Sequence, residues 1–315
     1  MEQMSLQRLP RLLDQGLGEA MLALRQPWRS LEAWRGLVAE ERRFGRSADQ
    51  AVITVVVPLY RRWDFVLGQV AAFAQDSCFL KGEARLLYVV DDPSIEAEFL
   101  GWCEGQLQDD VVDVSVLCLR RNSGFALACN TGVLKAQTQH VCLLNSDVLP
   151  LSSGWLEPLQ QVLMAQPQAL VAPLLLTDTG LIQHAGMRRQ DSVATGLPTC
   201  VHPGKGLSPQ RLDNQAEPLA VEALSGAALC MERQRFLGMG GFDPAFGRGD
   251  FEDLELSVRW QQQQGPCLMV TSARLVHLER QSLKPEIEVL PQARSCCNAW
   301  LARHLIAAAA GAHRT

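Results

Sequence analysis

Three short stretches place polar side chains just past apolar runs: Pro58-Leu59-Tyr60, Asp91-Asp92 and Asn145-Ser146-Asp147. At the ends of parallel strands, such residues line the crevice where an open sheet binds its ligands. The chemistry available there is that of hard oxygen donors. Mg or Mn takes one or two carboxylates and completes its octahedron with phosphate oxygens and water, so Asp147 could hold a cation against a diphosphate. Asp250-Phe251-Glu252-Asp253-Leu254-Glu255 is a second acidic cluster, able to supply a general base. It could equally be a capped helix start, with Glu252 and Asp253 on the positive end. His277, after the apolar pair Leu275-Val276, is either a core residue or a ligand, because neutral imidazole is acceptable to Mn.

These residues need a scaffold that brings strand ends together. Ala51 to Val57 is apolar or β-branched at nearly every position, as in a strand buried on both faces. Helix is expected over 63–75, strand over Arg85 to Val90, helix over 94–107 and strand over Val112 to Cys118. A helix over Ala126 to Gln137 and a strand over Val141 to Leu144 follow. The alternation is that of an α/β, Rossmann-like, mostly parallel sheet flanked by crossover helices. Strands near Leu170 to Leu176 and Ala227 to Met231 flank a Gly-, Pro- and Gln-rich stretch, 177–218, that reads as long loops. Residues 1–45 read as helix from the spacing of Leu6, Leu9, Leu13, Leu17 and Met21, continued by Trp28, Leu31 and Trp34.

With 34 acidic and 29 basic residues in 315, no basic surface advertises nucleic acid. Ten scattered cysteines without a Cys-x-x-Cys pair, among them Cys142 and Cys230 in apolar runs, suggest free thiols in a reducing compartment. The N-terminus mixes Leu with charged residues and resembles no secretory signal. The Leu305 to Ala310 run is far short of the roughly 20 residues that span a bilayer. A cytoplasmic chain is expected, with peripheral attachment to the inner face of the membrane left open. A dinucleotide oxidoreductase would need Gly-x-Gly-x-x-Gly after the first strand; Pro58-Leu59-Tyr60-Arg61-Arg62 has no glycine. The same absence argues against a sugar-nucleotide pyrophosphorylase.

Over roughly residues 50–285 the motifs resemble the nucleotide-sugar glycosyltransferases of the GT-A fold, family 2. Asp91-Asp92 resembles the family's Asp-Asp-x-Ser, Asn122 to Gly132 its Asn-x-Gly and Asn-x-Gly segment, and Asn145-Ser146-Asp147 its Asp-x-Asp turn. Gly241-Phe242-Asp243-Pro244-Ala245-Phe246 with Glu252-Asp253-Leu254-Glu255-Leu256 resembles its Gly-Phe-Asp-x-x-Phe and Glu-Asp-x-Asp-Leu blocks. The resemblance implies that Pro58, Tyr60, Asp91 and Asp92 hold the nucleoside. Asp92 is favoured for the base edge, where a carboxylate accepts from an imide N–H, and Tyr60 for its flat face. It further implies nucleotide contacts for Asn122, Gly124, Asn130 and Asn145, and a metal site of Asp147 completed by His277. Asp253 becomes the catalytic base, with Glu252 beside it. Asn145 and Glu255 depart from the strict motifs.

The expected organisation is an N-terminal helical extension (1–48), a GT-A domain (49–285) and a C-terminal helical tail (286–315). The implied function is inverting transfer of a sugar from a nucleotide-diphosphate donor to a hydroxyl of a glycan or lipid-linked acceptor, with Mn or Mg. Ile182-Gln183-His184-Ala185-Gly186 resembles a segment of surface-polysaccharide members, including rhamnosyltransferase-like ones, which points to cell-surface glycans. An inactive homologue serving as a binding or scaffold subunit is the alternative, and a nucleotidyltransferase a more distant one. Donor sugar, acceptor and oligomeric state have no readable code.

Overall fold

The computed structural model describes residues 8–107, 112–193, 195–247, 249–278 and 289–312. The expected boundary at 285/286 and residues 1–7 of the expected N-terminal helix lie outside them. The strands are β1 (Val38–Phe44), β2 (Ile53–Leu59), β3 (Ala84–Val90), β4 (Val114–Leu119), β5 (His140–Leu144), β6 (Val148–Pro150), β7 (Leu170–Leu176), β8 (Ile182–His184), β9 (Arg188–Asp191), β10 (Pro198–Val201), β11 (Leu219–Val221), β12 (Ala228–Glu232) and β13 (Cys267–His277). The α-helices are α1 (Gly18–Arg25), α2 (Leu31–Leu37), α3 (Val66–Phe73), α4 (Ser77–Leu80), α5 (Glu96–Gln106), α6 (Phe125–Lys135), α7 (Leu156–Ala165), α8 (Arg233–Gly238), α9 (Glu252–Gln263) and α10 (Val289–Ala312).

Eleven strands form one sheet ordered β1-β4-β3-β2-β5-β12-β7-β13-β11, with β6 beside β13 and β8 beside β7. The run β4-β3-β2-β5 is parallel, and β12 is inserted antiparallel between β5 and β7. Alternation along β2 explains its apolar composition. Ile53, Val55, Val57 and Leu59 face a layer containing Val66 and Phe73 of α3 and Phe99 of α5. Val56 faces the opposite layer with Ala126, Cys129 and Val133 of α6. Each fully buried aliphatic side chain contributes about 1.5–3 kcal/mol. Gly132 lets α6 lie on the sheet, since a Cβ there would come 2.4 Å from Val56 Cγ1 and 2.9 Å from Val89 Cγ2. All ten cysteines are free, and Cys142 and Cys230 are buried partners across β5 and β12.

The expected helix over 1–45 ends at Leu37, and Val38–Phe44 is instead an edge strand antiparallel to β4. Its residues alternate half-buried and exposed, and its Glu and Arg side chains work as strand-edge charges. Lys135 bonds Glu41 at 2.8 Å and Arg43 reaches Asp113 at 3.0 Å. The expected loops over 177–218 contain the short strands β8, β9 and β10. A third core cluster joins Leu13 to Trp300, Leu301 and Ile306 of α10 and to Phe246, Phe251 and Leu254. Among the described residues no helix is long and apolar enough to cross a membrane.

Candidate active site

The carboxyl ends of β2, β3, β4 and β5 converge, and hydrogen bonds tie the loops after β2, β3 and β4 together. After β2, Arg61 takes a left-handed φ of 63° and its N–H donates to Asp92 Oδ2 at 3.2 Å, which fixes the half-buried Tyr60 turn against the end of β3. The other Asp92 oxygen accepts from the N–H (3.0 Å) and hydroxyl (2.7 Å) of Ser94. Asp91 points inward and is 3% exposed; it accepts from the N–H groups of Ser123 (2.6 Å) and Gly124 (2.8 Å). Burial pushes Asp91 up to about 7 against those two bonds. The Gly124 N–H is thus taken by Asp91, with Asn122 Oδ1 sharing it at 3.1 Å; the φ of 88° at Gly124 makes the turn. Asn122 is exposed at the rim.

The Asn145-Ser146-Asp147 turn lies between β5 and β6 and is held from beneath by Gln69, a residue sequence reading passed over. Fully buried on α3, Gln69 donates to the carbonyls of Asn145 (3.1 Å) and Val148 (2.9 Å). The pairing of β6 with β13 sets His277 opposite Val148, one residue beyond Asp147. His277 Nε2 accordingly lies 3.3 Å from Asp147 Oδ1. Gln183 of β8, also missed, bonds the far side of the ring: its Oε1 is 2.9 Å from His277 Nδ1, and its Nε2 donates to the His277 carbonyl at 3.4 Å. An amide oxygen only accepts, so Nδ1 carries the proton and the lone pair of Nε2 faces a carboxylate oxygen. Two acceptors at that distance repel unless a cation or a proton sits between them. The donor set, one carboxylate and one imidazole with a carbonyl-anchored ring, fits Mn, with phosphate and water left to complete the shell. No cluster of three or more His, Cys, Asp or Glu suited to a metal occurs among the described residues. A cation here therefore depends on ligand oxygens.

The acidic block follows an unusual backbone. Gly249, Asp250 and Phe251 have φ of 104°, 94° and 72°, a conformation that costs a non-glycine residue on the order of 1–3 kcal/mol. The turn delivers Glu252 and Asp253 to the start of α9. Asp253 accepts from the N–H groups of Gly226 (2.9 Å) and Leu254 (2.8 Å). Burial raises it to about 6, opposed by those two bonds and reinforced by Asp250. Burial first, and Asp253 second, push Glu252 well above the usual carboxylate range; Glu252 is 6% exposed and its Oε2 has no hydrogen-bond partner among the described residues. Because Ala227 O accepts from Asn145 N at 2.9 Å, the 226–227 segment spans directly from Asp253 to the Asn145 turn. Phe125 at the head of α6 packs toward Gly226, closing the ring of loops.

Two residues of these motifs, Asn130 and Glu255, serve the frame. Asn130, expected at the ligand, is fully buried and clamps Phe242, donating to its carbonyl (2.8 Å) and accepting from its N–H (2.9 Å). Glu255, the departure from the acidic motif, pairs with Arg259 at 2.6 Å, and Arg259 in turn holds the carbonyls of Met239 and Gly241. Both anchor the turn that precedes the acidic helix. His184, 3% exposed, was also unread as a site residue. Its Nε2 accepts from Ser225 N at 3.1 Å, which places the proton on Nδ1, 3.3 Å from His202 Nδ1. Burial, with His202, His277 and Lys205 nearby, pushes His184 down to about 3, so it stays neutral.

Residues 54–198 match the model of glycosyl transferase family 2. A Drosophila melanogaster protein whose name assigns it as polypeptide N-acetylgalactosaminyltransferase 13 is 28% identical over 162 residues, 50% of this chain and 28% of that protein. Another, named as number 10, is 23% identical over 208 residues, 64% of this chain and 32% of its own length. The chain thus spans less than a third of either relative. Among solved structures, GalNAc-T7 with UDP, GalNAc and Mn2+ superposes with a TM-score of 0.58 at 19% identity, covering 75% of this chain and 45% of that one. Residues 1–349 of S. aureus TarS with UDP superpose with a TM-score of 0.50 at 14% identity, covering 76% and 64%. At these identities the likeness concerns the fold.

Proposed function

We propose that this chain, which matches the model of glycosyl transferase family 2 over residues 54–198 and has the GT-A fold, is a member of that family and transfers a sugar with inversion from a nucleotide-diphosphate donor to a hydroxyl of a glycan or lipid-linked acceptor. The observation that carries the reading is the facing pair Asp147 and His277, joined through Asn145, Ala227 and Gly226 to Asp253. Tyr60 offers a face to the nucleobase and Asp92 a carboxylate to its edge. Asp147 and His277 would hold Mn or Mg, which when bound neutralises charge on the departing diphosphate.

Asp253 accepts the acceptor hydroxyl proton as the new C1–O bond forms. The bond from C1 to the diphosphate oxygen breaks on the opposite face, and its electron pair leaves with the nucleoside diphosphate. A carboxyl raised to about 6 suits this task near neutral pH, being ionised yet basic enough to take a proton. Glu252, whose carboxyl burial pushes well above the usual range, stands beside it. A role in cell-surface polysaccharide synthesis follows from the Ile182 to Gly186 segment and belongs to the proposal. GalNAc-T7 and TarS were both solved with UDP, so UDP-sugars come first in any donor panel. The test is a thermal-shift series of UDP-, GDP- and dTDP-sugars with Mn on the wild type and on Asp147→Ala. The wild type should show one Mn-dependent stabilising donor that Asp147→Ala loses; unchanged metal-dependent binding in the variant would remove the assignment.

A further inference from the structure

Asn298, on the C-terminal helix α10, lies outside the 54–198 family match and is 3% exposed. Its side-chain amide donates to three carbonyls of the turn before the acidic helix: Phe246 (3.2 Å), Gly249 (2.9 Å) and Asp250 (3.0 Å). Two amide hydrogens shared among three converging carbonyls demand the sharp left-handed path found at Gly249, Asp250 and Phe251. Two of those residues are not glycine and would leave that conformation without a restraint. The helix that carries Asn298 is itself braced. Trp300 Nε1 donates to Asp14 Oδ1 at 2.7 Å, Arg303 reaches the same oxygen at 2.8 Å, and the Trp300 ring fills the space where a Cβ on Gly18 would stand 2.1 Å away. On the same side of the fold, Arg29 pairs with Asp243 at 2.6 Å.

We infer that Asn298 is a positioning residue for the transfer reaction: it holds the 249–251 turn in its left-handed form and thereby aims the Asp253 carboxylate, so that the two terminal extensions act as a brace on the active site. The inference rests on the reading of Asp253 as the base. Asn298→Leu keeps the branched outline of the side chain and removes the donor. The expected result is a fall in kcat of roughly 10²-fold, as for a reacting group displaced by about 1 Å, with donor KM within about twofold of wild type because the nucleotide loops are untouched. Asp250→Gly in the Asn298→Leu background should recover part of that kcat, since glycine takes a positive φ without strain. An unchanged kcat, or a loss that merely follows the folded fraction and is not recovered by Asp250→Gly, overturns the inference. If Asn298→Leu does not fold, Asn298→Ser, which retains one donor on a shorter arm, is measured in the same way. Should the wild type itself transfer no sugar, the glycosyltransferase reading fails separately. Amide exchange over residues 249–255 then still decides the brace: faster exchange in the variant supports it and unchanged exchange refutes it.

Discussion

Replacing Gln183 by Leu isolates the part of the candidate metal site that touches neither substrate nor metal. Gln183 is 6% exposed; its Nε2 donates to the His277 carbonyl at 3.4 Å, and its Oε1 accepts the Nδ1 proton of His277 at 2.9 Å. Losing that bond costs about 1 kcal/mol, roughly fivefold in affinity. It also frees His277 to put its proton on Nε2, which removes the ligating lone pair from about half the molecules, a further factor of about two. The product is about a tenfold weaker Mn complex, at the low end of the roughly 10–100-fold seen when an outer-shell partner of a ligating His is removed. His277→Ala should weaken Mn further while leaving the melting temperature nearly intact. The assay is Mn titration at saturating UDP, with free Mn followed by electron paramagnetic resonance. Identical Mn affinity in Gln183→Leu and wild type would refute the tautomer argument, and a large loss of stability in His277→Ala with an unaltered Mn response would make His277 a core residue.

Asp253→Asn should keep nucleotide-sugar binding and lose roughly 10²–10⁴-fold in transfer; more than a tenth of wild-type turnover would move the base elsewhere, first to Glu252. Because the base works deprotonated and Asp253 is raised to about 6, turnover should fall about tenfold per pH unit below 6 and level off above it, a limb that a pH profile should show in wild type. For stability the sign is opposite: raised carboxyls such as Asp253 and Asp91 stabilise the fold below their ordinary value of 3.8, and that contribution disappears as pH rises through about 6 and 7, readable in urea titrations at several pH values. Gly132→Ala should destabilise by about 1–3 kcal/mol through its clash with Val56 and Val89, measured by the same titrations.

The strand-end residues were legible because apolar strands announce themselves and polar residues just past them have few other reasons to be there. Tyr60, Asp91, Asp92, Asn145 and Asp147 all stand on loops that the fold joins by hydrogen bonds. What escaped was set by register between distant segments. Gln183 meets His277 across 94 residues through two pairings, β8 on β7 and β13 on β7, and β8 lies inside a stretch that reads as loop. Gln69 looks like any polar residue on a helix until its amide is found under the Asn145 turn. The edge strand β1 was hidden by Glu and Arg, which favour helix locally, whereas pairing with β4 decides its state. Asn130 illustrates the converse: a polar residue in a recognised motif that spends both amide atoms on Phe242.

The proposed activity requires that this protein consume a nucleotide-sugar through a metal held at Asp147. The deciding measurement is release of nucleoside diphosphate by the wild type from UDP-, GDP- and dTDP-sugars with Mn, repeated after chelation with EDTA and after Mn is restored. The expected result is release from at least one donor, abolished by EDTA and recovered with Mn. Release indifferent to chelation, or a donor that binds and is never turned over with any acceptor offered, would contradict it.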